Sequence, residues 1–238
     1  MEVIHLKIDG KPVTASEGET VLHAARSAGV AIPTLCHLEG LTDVGSCRLC
    51  LVEVGEDEPM TPACVTRVHE GLEVRTNTER LRQHRLMVME LIFSGGNHTC
   101  AVCVANSHCE LQDAAVAVGM DHVRFEYDHK PLTVDMTHPL FGMDHNRCIL
   151  CTRCVRVCDE IEGASTWGVA FRGAHTKVVT DLDQPWGESP TCTSCGKCVM
   201  ACPTGALFHR GETVAEIDHH RDRLSSLVTS REHKPWPV

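Results

Sequence analysis

The chain has 238 residues, 15 cysteines, 16 histidines and a formal net charge of −10. That charge argues against nucleic acid as a partner, because phosphate binding needs a basic face, and no run of about 18 apolar residues is present to span a membrane. Aromatic residues make up only 4 %, so any small domain has a thin apolar core and needs a staple, either disulfides or metal.

The opening "MEVIHLKIDG" has no basic region followed by an apolar one, so no secretory signal is expected. The expected compartment is the cytoplasm, where thiols stay reduced. The odd cysteine count also suits ligation better than pairing. "VIHLKIDGKPVTA" alternates around Asp9-Gly10 and predicts a hairpin. "GETVLHAARSAG" predicts a helix from Glu19 to Ala28, stopped by Gly29. Cys36, Cys47, Cys50 and Cys64 follow as C-x10-C-x2-C-x13-C, and "CRLCLVEV" leads into a strand. Two strands, a helix, a cysteine loop and a strand is the order of a β-grasp [2Fe–2S] domain. The plant-type spacing is C-x4-C-x2-C…C, so the gap of ten marks a variant loop. Zinc is the alternative, since four cysteines also hold that ion.

"TERLRQHRLMVMELIFSGG" predicts a helix with Leu81, Val88 and Ile92 on one face, Met87 and Leu91 beside them, and a stop at Gly95-Gly96. "NHTCAVCVANSHC" then supplies Cys100, Cys103 and Cys109, three of the four ligands a cubic iron–sulfur cluster wants. His98 stands two residues before Cys100. Imidazole replaces thiolate on iron in Rieske centres, and a neutral ligand leaves the cluster one charge less negative, which raises its potential. His108 is the competitor; a distant ligand or a three-iron cluster are the other possibilities. "CELQDAAVAVG" predicts the next helix.

Cys148, Cys151, Cys154 and Cys158 form a C-x2-C-x2-C-x3-C run. Cys192, Cys195, Cys198 and Cys202 repeat it, followed by Pro203. Two such runs make a two-cluster ferredoxin, in which the fourth cysteine of each run ligates the other cluster. One [4Fe–4S] cluster is therefore expected on Cys148, Cys151, Cys154 and Cys202, the other on Cys158, Cys192, Cys195 and Cys198. Asp159 replaces the proline in the first run, which bears on the local turn. Zinc sites use two C-x2-C pairs, not this run. Arg147, Arg153, Arg156 and Lys197 are interleaved with the ligands. A unit charge about 7 Å from a cluster, at an effective dielectric of about 20, is worth roughly 2.4 kcal/mol, on the order of 100 mV, unless the cation is solvated or paired. "GVAFRG" from Gly168 to Gly173 lacks the dinucleotide fingerprint and is read as a strand or turn. Ile217, Leu224, Leu227 and Val228 place a helix between Glu216 and Ser230.

The fold class is α+β: a β-grasp [2Fe–2S] domain over 1–77, a small helical domain with a one-His, three-Cys site over 78–137, and a two-cluster ferredoxin-like domain over 138–238. This order, with "NHTCAVCVANSHCELQD" and "NRCILCTRCVRVCDEIEG", resembles the iron–sulfur module shared by three relatives. These are the diaphorase small subunit of NAD-reducing nickel–iron hydrogenase, the N-terminal part of the large complex I iron–sulfur subunit, and the accessory region of iron-only hydrogenases. The chain ends 36 residues after Cys202, and the two long relatives carry extensions, so the resemblance is greatest to the diaphorase small subunit. It implies one [2Fe–2S] and three [4Fe–4S] clusters, FMN and NAD(H) on a flavoprotein diaphorase large subunit, hydrogenase small and large subunits as further partners, and no substrate-turnover site on this chain. The ferredoxin-like half is expected to face the hydrogenase. In the complex I and iron-only relatives the histidine stands four residues before the triplet, a position held here by Gly96. The alternatives are an iron–sulfur subunit of an NAD-linked formate dehydrogenase or complex I-like assembly, and a free ferredoxin-like carrier.

Overall fold

The alternating start forms a two-stranded ribbon. β1 (Val3–Ile8) pairs antiparallel with β2 (Lys11–Ser16), with Ile8 opposite Lys11. The two-residue connection puts Asp9 at φ 50° and Gly10 at φ 76°. Both values are positive, as the tight turn matching strand twist requires, and Asp-Gly tolerates them. The structure, a computed structural model, describes residues 3–55, 60–129 and 131–211. The helix expected between Glu216 and Ser230 lies outside the described residues.

α1 (Val21–Ser27) begins two residues later than expected, because the Thr20 hydroxyl caps it by accepting from the His23 N–H. Val21, Leu22, Ala24 and Ala25 are buried. β3 (Leu51–Val54), β4 (Thr61–Pro62) and β5 (Glu73–Arg75) complete a sheet of order β2-β1-β5-β3-β4. Only β1 and β5 run parallel. Leu6, Ile8, Leu22, Val52 and Val74 form its core, and Cys50 and Cys64 are packed into that core.

α2 (Glu79–Ser94) stops before Gly95-Gly96, as the sequence predicts. Its buried face differs from the expected one. Leu81, Arg85 and Met89 point inward, while Met87 and Leu91 are exposed and Val88 and Ile92 only half-buried. The cause is polar. Arg85 donates to the carbonyls of Leu49 (3.0 Å) and Leu51 (2.9 Å), one on each side of Cys50. Buried Glu90 receives a two-pronged contact from Arg124. A reading confined to apolar periodicity rotates the helix away from these residues.

α3 (Glu110–Ala117) follows the third cysteine of the triplet. Downstream come β6 (Val134–Asp135), β7 (Phe141–Asp144), α4 (Arg153–Arg156), β8 (Trp167–Ala170), β9 (Lys177–Thr180), α5 (Lys197–Ala201) and β10 (Leu207–His209). The last pairs with β7 in a sheet of order β10-β7-β6, and β8 and β9 form a hairpin. "GVAFRG" is thus the end of a strand and the turn after it.

The two cysteine runs end differently. After Cys202, Pro203 stops α5 at once and holds Cys202 extended at ψ 124°. After Cys158, with Asp159 in place of proline, α4 widens into a π-helical turn over Val157–Glu162, ended by Gly163 at φ 75°. By contacts the chain divides into two compact units. One is Met1–His37, Asp43–Leu91 and Ala114–Phe125; the other is Leu38–Thr42, Ile92–Asp113 and Glu126–Val238. Among the described residues no helix is long and apolar enough to cross a membrane.

Arg85→Ala removes two hydrogen bonds from a charged donor and strips the cysteine loop of its brace. We expect a loss of about 2–4 kcal/mol, read as a lower urea midpoint at unchanged slope, with partial recovery in Arg85→Lys.

Candidate metal centres

The cysteine loops share a backbone device. Leu150 and Thr152 in the first run have φ 53° and 59°; Ser194 and Gly196, at the same places in the second run, have 57° and 72°. Arg48 between Cys47 and Cys50 (φ 58°) and Ser107 before Cys109 (φ 71°) do likewise. A left-handed residue between ligands turns the chain so that successive sulfurs face one space. Holding non-glycine residues there costs on the order of 1 kcal/mol each, which points to a site that repays the strain.

In the first unit the Cys50 and Cys64 sulfurs are 3.5 Å apart. Two thiolates on one tetrahedral metal at about 2.3 Å stand roughly 3.8 Å apart. Cys36, taking hydrogen bonds from Cys47 and then Cys64, is pushed toward the anion, and those two thiols are pushed up. All four thiols of the first sequence group therefore interact. Asp43 adds repulsion at Cys64 and accepts from His37 at 2.7 Å.

A small cavity of ≈ 20 Å³ is lined by His98, Cys100, Cys103 and Cys109, with Phe93, Arg147, Thr204 and Gly205. The structure thus brings His98 to the three cysteines, while His108 is exposed and does not line the cavity. Burial, with Arg147 nearby, lowers the His98 pKa to about 4. The imidazole is neutral at physiological pH, the state in which it can ligate a metal. A Cβ at Gly96 would lie 2.5 Å from His98 Nε2. The imidazole from position 98 fills the space beside position 96, and only glycine there leaves room for it.

A second cavity, of ≈ 20 Å³, is lined by Cys158, Cys192, Cys195 and Cys198. This is the cross-over set, the fourth cysteine of one run beside the first three of the other. Cys148, Cys151, Cys154 and Cys202 interact with one another, and Cys154 also senses Cys198. Burial pushes Cys109 up to about 11 and Cys148 and Cys151 to about 12. Cys195 is the exposed cysteine of the fifteen. Among the described residues no three His, Cys, Asp or Glu side chains converge as a site for one metal ion. The donor set fits iron–sulfur centres: soft thiols, in fours or three with an imidazole, buried where a bare thiolate is costly and a cationic core offsets that cost.

The interleaved cations are not bare charges. Arg147 pairs with Asp144 (2.9 Å), Arg153, 2 % exposed, with Glu110 (2.8 Å), and Lys197 with Glu162. Arg156 donates to the carbonyls of Thr42 (2.7 Å) and Cys151 (3.1 Å). The unit-charge value above does not carry over to cations neutralised in this way. Sequence reasoning missed Arg85 and the indoles of Trp167 and Trp186; Trp186 Nε1 donates to the Cys192 sulfur at 3.2 Å. Two tryptophans beside the cysteine runs, in so aromatic-poor a chain, were the available signal.

Fold and sulfur geometry together define a multicentre iron–sulfur protein. Three family models match in tandem: the 2Fe-2S iron-sulfur cluster binding domain over 1–79, the NADH-ubiquinone oxidoreductase-G iron-sulfur binding region over 85–124, and the ferredoxin-like domain of NADH-quinone oxidoreductase subunit 3 over 138–208. The NADPH-Fe(3+) oxidoreductase subunit alpha of Geobacter sulfurreducens is 39 % identical over 209 residues, 87 % of this chain and 24 % of that protein. The chain therefore spans about a quarter of the length of such relatives. The NAD-reducing hydrogenase HoxS subunit gamma of Cupriavidus necator is 33 % identical over 208 residues, 87 % of each chain. A chain from the crystal structure of an NAD+-reducing [NiFe]-hydrogenase in the H2-reduced state superposes with TM-score 0.82 at 32 % identity, over 88 % of both chains. The chain belongs to this family, the electron-carrying iron–sulfur subunits of the NAD-reducing hydrogenase type.

Gly205 marks a close approach: a Cβ there would lie 2.8 Å from Cys103 Sγ and 3.2 Å from Ala105 Cβ. Gly205→Ala is expected to cost one centre, about four irons per chain, by iron analysis, with the EPR signals of the remaining centres kept.

Proposed function

We propose that this chain relays single electrons between a flavin- and NAD(H)-binding diaphorase large subunit and the small and large subunits of a [NiFe] hydrogenase, in the cytoplasm. The observation that carries this reading is the match to the HoxS gamma subunit along 87 % of both chains. The residues proposed as ligands are Cys36, Cys47, Cys50 and Cys64 for one [2Fe–2S] cluster, and His98, Cys100, Cys103 and Cys109 for a [4Fe–4S] cluster. Two further [4Fe–4S] clusters fall to Cys148, Cys151, Cys154 and Cys202, and to Cys158, Cys192, Cys195 and Cys198. The three-domain division at 1–77, 78–137 and 138–238 follows these sets. When bound, the clusters take up and release one electron at a time, so the two-electron chemistry of FMN and NAD(H) belongs to the partner.

What the chain itself does is electrostatic and geometric. The left-handed residues aim the sulfurs, Arg85 fixes the loop carrying Cys50, and Pro203 sets Cys202 away from its own run. Neutral His98 in place of a thiolate makes its centre less negative and so easier to reduce. Exposed Cys195 brings its centre nearest to solvent, the natural place for exchange with a partner.

The second reading is the iron–sulfur portion of an NADH-quinone- or NADPH–Fe(III)-oxidoreductase-like assembly, favoured by the 39 % identity to the Geobacter protein. Affinity purification from native anaerobic extract separates the two. The hydrogenase reading expects H2-dependent reduction of NAD+ in the eluate; a flavoprotein-bound complex inert to H2 would support the second. A free carrier would elute alone. Within either assembly, His98→Ala is expected to abolish or strongly shift the EPR signal of one centre, and His98→Cys to restore a centre of lower potential. An unchanged set of signals in His98→Ala would remove it as ligand.

A further inference from the structure

Near the ferredoxin-like centres Arg147, Arg153 and Lys197 are paired with carboxylates and Arg156 binds carbonyls, and neutral polar groups are also aimed at sulfur. The Cys148 set has backbone N–H groups, of Leu150 toward Cys148 and of Arg153 toward Cys151, and the Thr204 hydroxyl, which lies 3.7 Å from the Cys202 sulfur but donates to the Arg147 carbonyl at 3.0 Å. The Cys192 set has something more. The Trp186 indole donates to the Cys192 sulfur at 3.2 Å, and Trp167 lines the same space beside Cys198. Both described tryptophans thus stand at one of two pseudo-symmetric centres.

The Trp186 indole is held for this contact. Trp186 is 1 % exposed and Trp167 5 %, so neither N–H is freely hydrated, and a buried donor left without an acceptor is costly. The rings meet edge to face at 4.8 Å, and Phe141 stacks on Trp186 at 5.4 Å. The Trp186 backbone N–H donates to Asp135 Oδ2 at 2.7 Å, and the next N–H, of Gly187, to Thr137 Oγ1 at 2.8 Å. At Gly187 a Cβ would lie 2.3 Å from the Thr137 carbonyl oxygen, so the backbone beneath Trp186 is pressed against its neighbour and cannot drift.

We propose that Trp186 sets the reduction potential of the Cys158, Cys192, Cys195 and Cys198 centre, raising it above that of its pseudo-symmetric neighbour by donating its indole N–H to the Cys192 sulfur, with Trp167 packed edge to face against its ring. The inference rests on the ligand sets proposed above. An added electron increases negative charge on the sulfurs, and a donor aimed at sulfur stabilises that state more than the oxidised one. The centre with the exposed ligand thereby becomes the better electron acceptor of the pair.

The test is an EPR-monitored redox titration of the anaerobically purified complex with Trp186→Phe. The change is expected to weaken reduction of one centre three- to tenfold, tenfold being 59 mV for one electron. The other centres keep their midpoints. Benzothienylalanine at position 186, which keeps the ring shape but lacks the N–H, is expected to reproduce the Trp186→Phe shift. A retained centre with an unmoved midpoint in the benzothienyl protein, whatever Phe does to cluster content, overturns the proposal. So does a uniform shift of every centre. Absence of this centre from the wild-type complex would instead sink the ligand assignment, and with it the inference.

Discussion

Everything in this chain answers to the cost of burying sulfur anions. Fourteen of fifteen cysteines lie buried or half-buried, and desolvation drives several thiols up to about 11 or 12. The chain's own cations do not supply the counter-charge, because Arg147, Arg153 and Lys197 are committed to Asp144, Glu110 and Glu162. Arg85 braces the carbonyls on either side of Cys50, and Arg156 those of Thr42 and Cys151. A positive core from outside the polypeptide makes such a set of donors stable as thiolates, and binding it must release protons.

That demand also accounts for the folding of an aromatic-poor chain. Where a larger core would be needed, sulfur loops take its place. Cys50 and Cys64 sit among Leu22, Val52 and Val74; Cys154, Cys158 and Cys198 sit among Phe141, Trp167 and Trp186. On the ligand sets proposed above, metal binding and core formation would be one event, and the left-handed residues at Arg48, Leu150, Thr152 and Ser194 would be strain that the loaded site repays. Electron relay follows from the same packing. Cys154, in one set, and Cys198, in the other, lie in one apolar cluster.

Much of this was legible in the sequence. Spacing alone grouped the cysteines, and the hairpin at Asp9-Gly10, the stop at Gly95-Gly96 and the family resemblance were all readable. His98 was chosen by proximity, and the cavity wall places it with Cys100, Cys103 and Cys109. What escaped was polar burial. Apolar periodicity turned α2 the wrong way because Arg85 and Glu90 face inward with partners 34 or more residues away in sequence. Whether the interleaved cations were paired was not legible, because Glu110 for Arg153 and Glu162 for Lys197 come from segments 35 or more residues away, although Asp144 for Arg147 is local. The reason for Gly96 is likewise visible only once the His98 ring occupies the space beside it.

The most direct measurement is iron, zinc and acid-labile sulfide on protein purified anaerobically with its partners. The account predicts about 14 irons per chain, a matching quantity of sulfide and negligible zinc. A colourless protein carrying zinc, with little iron and no labile sulfide, would contradict it.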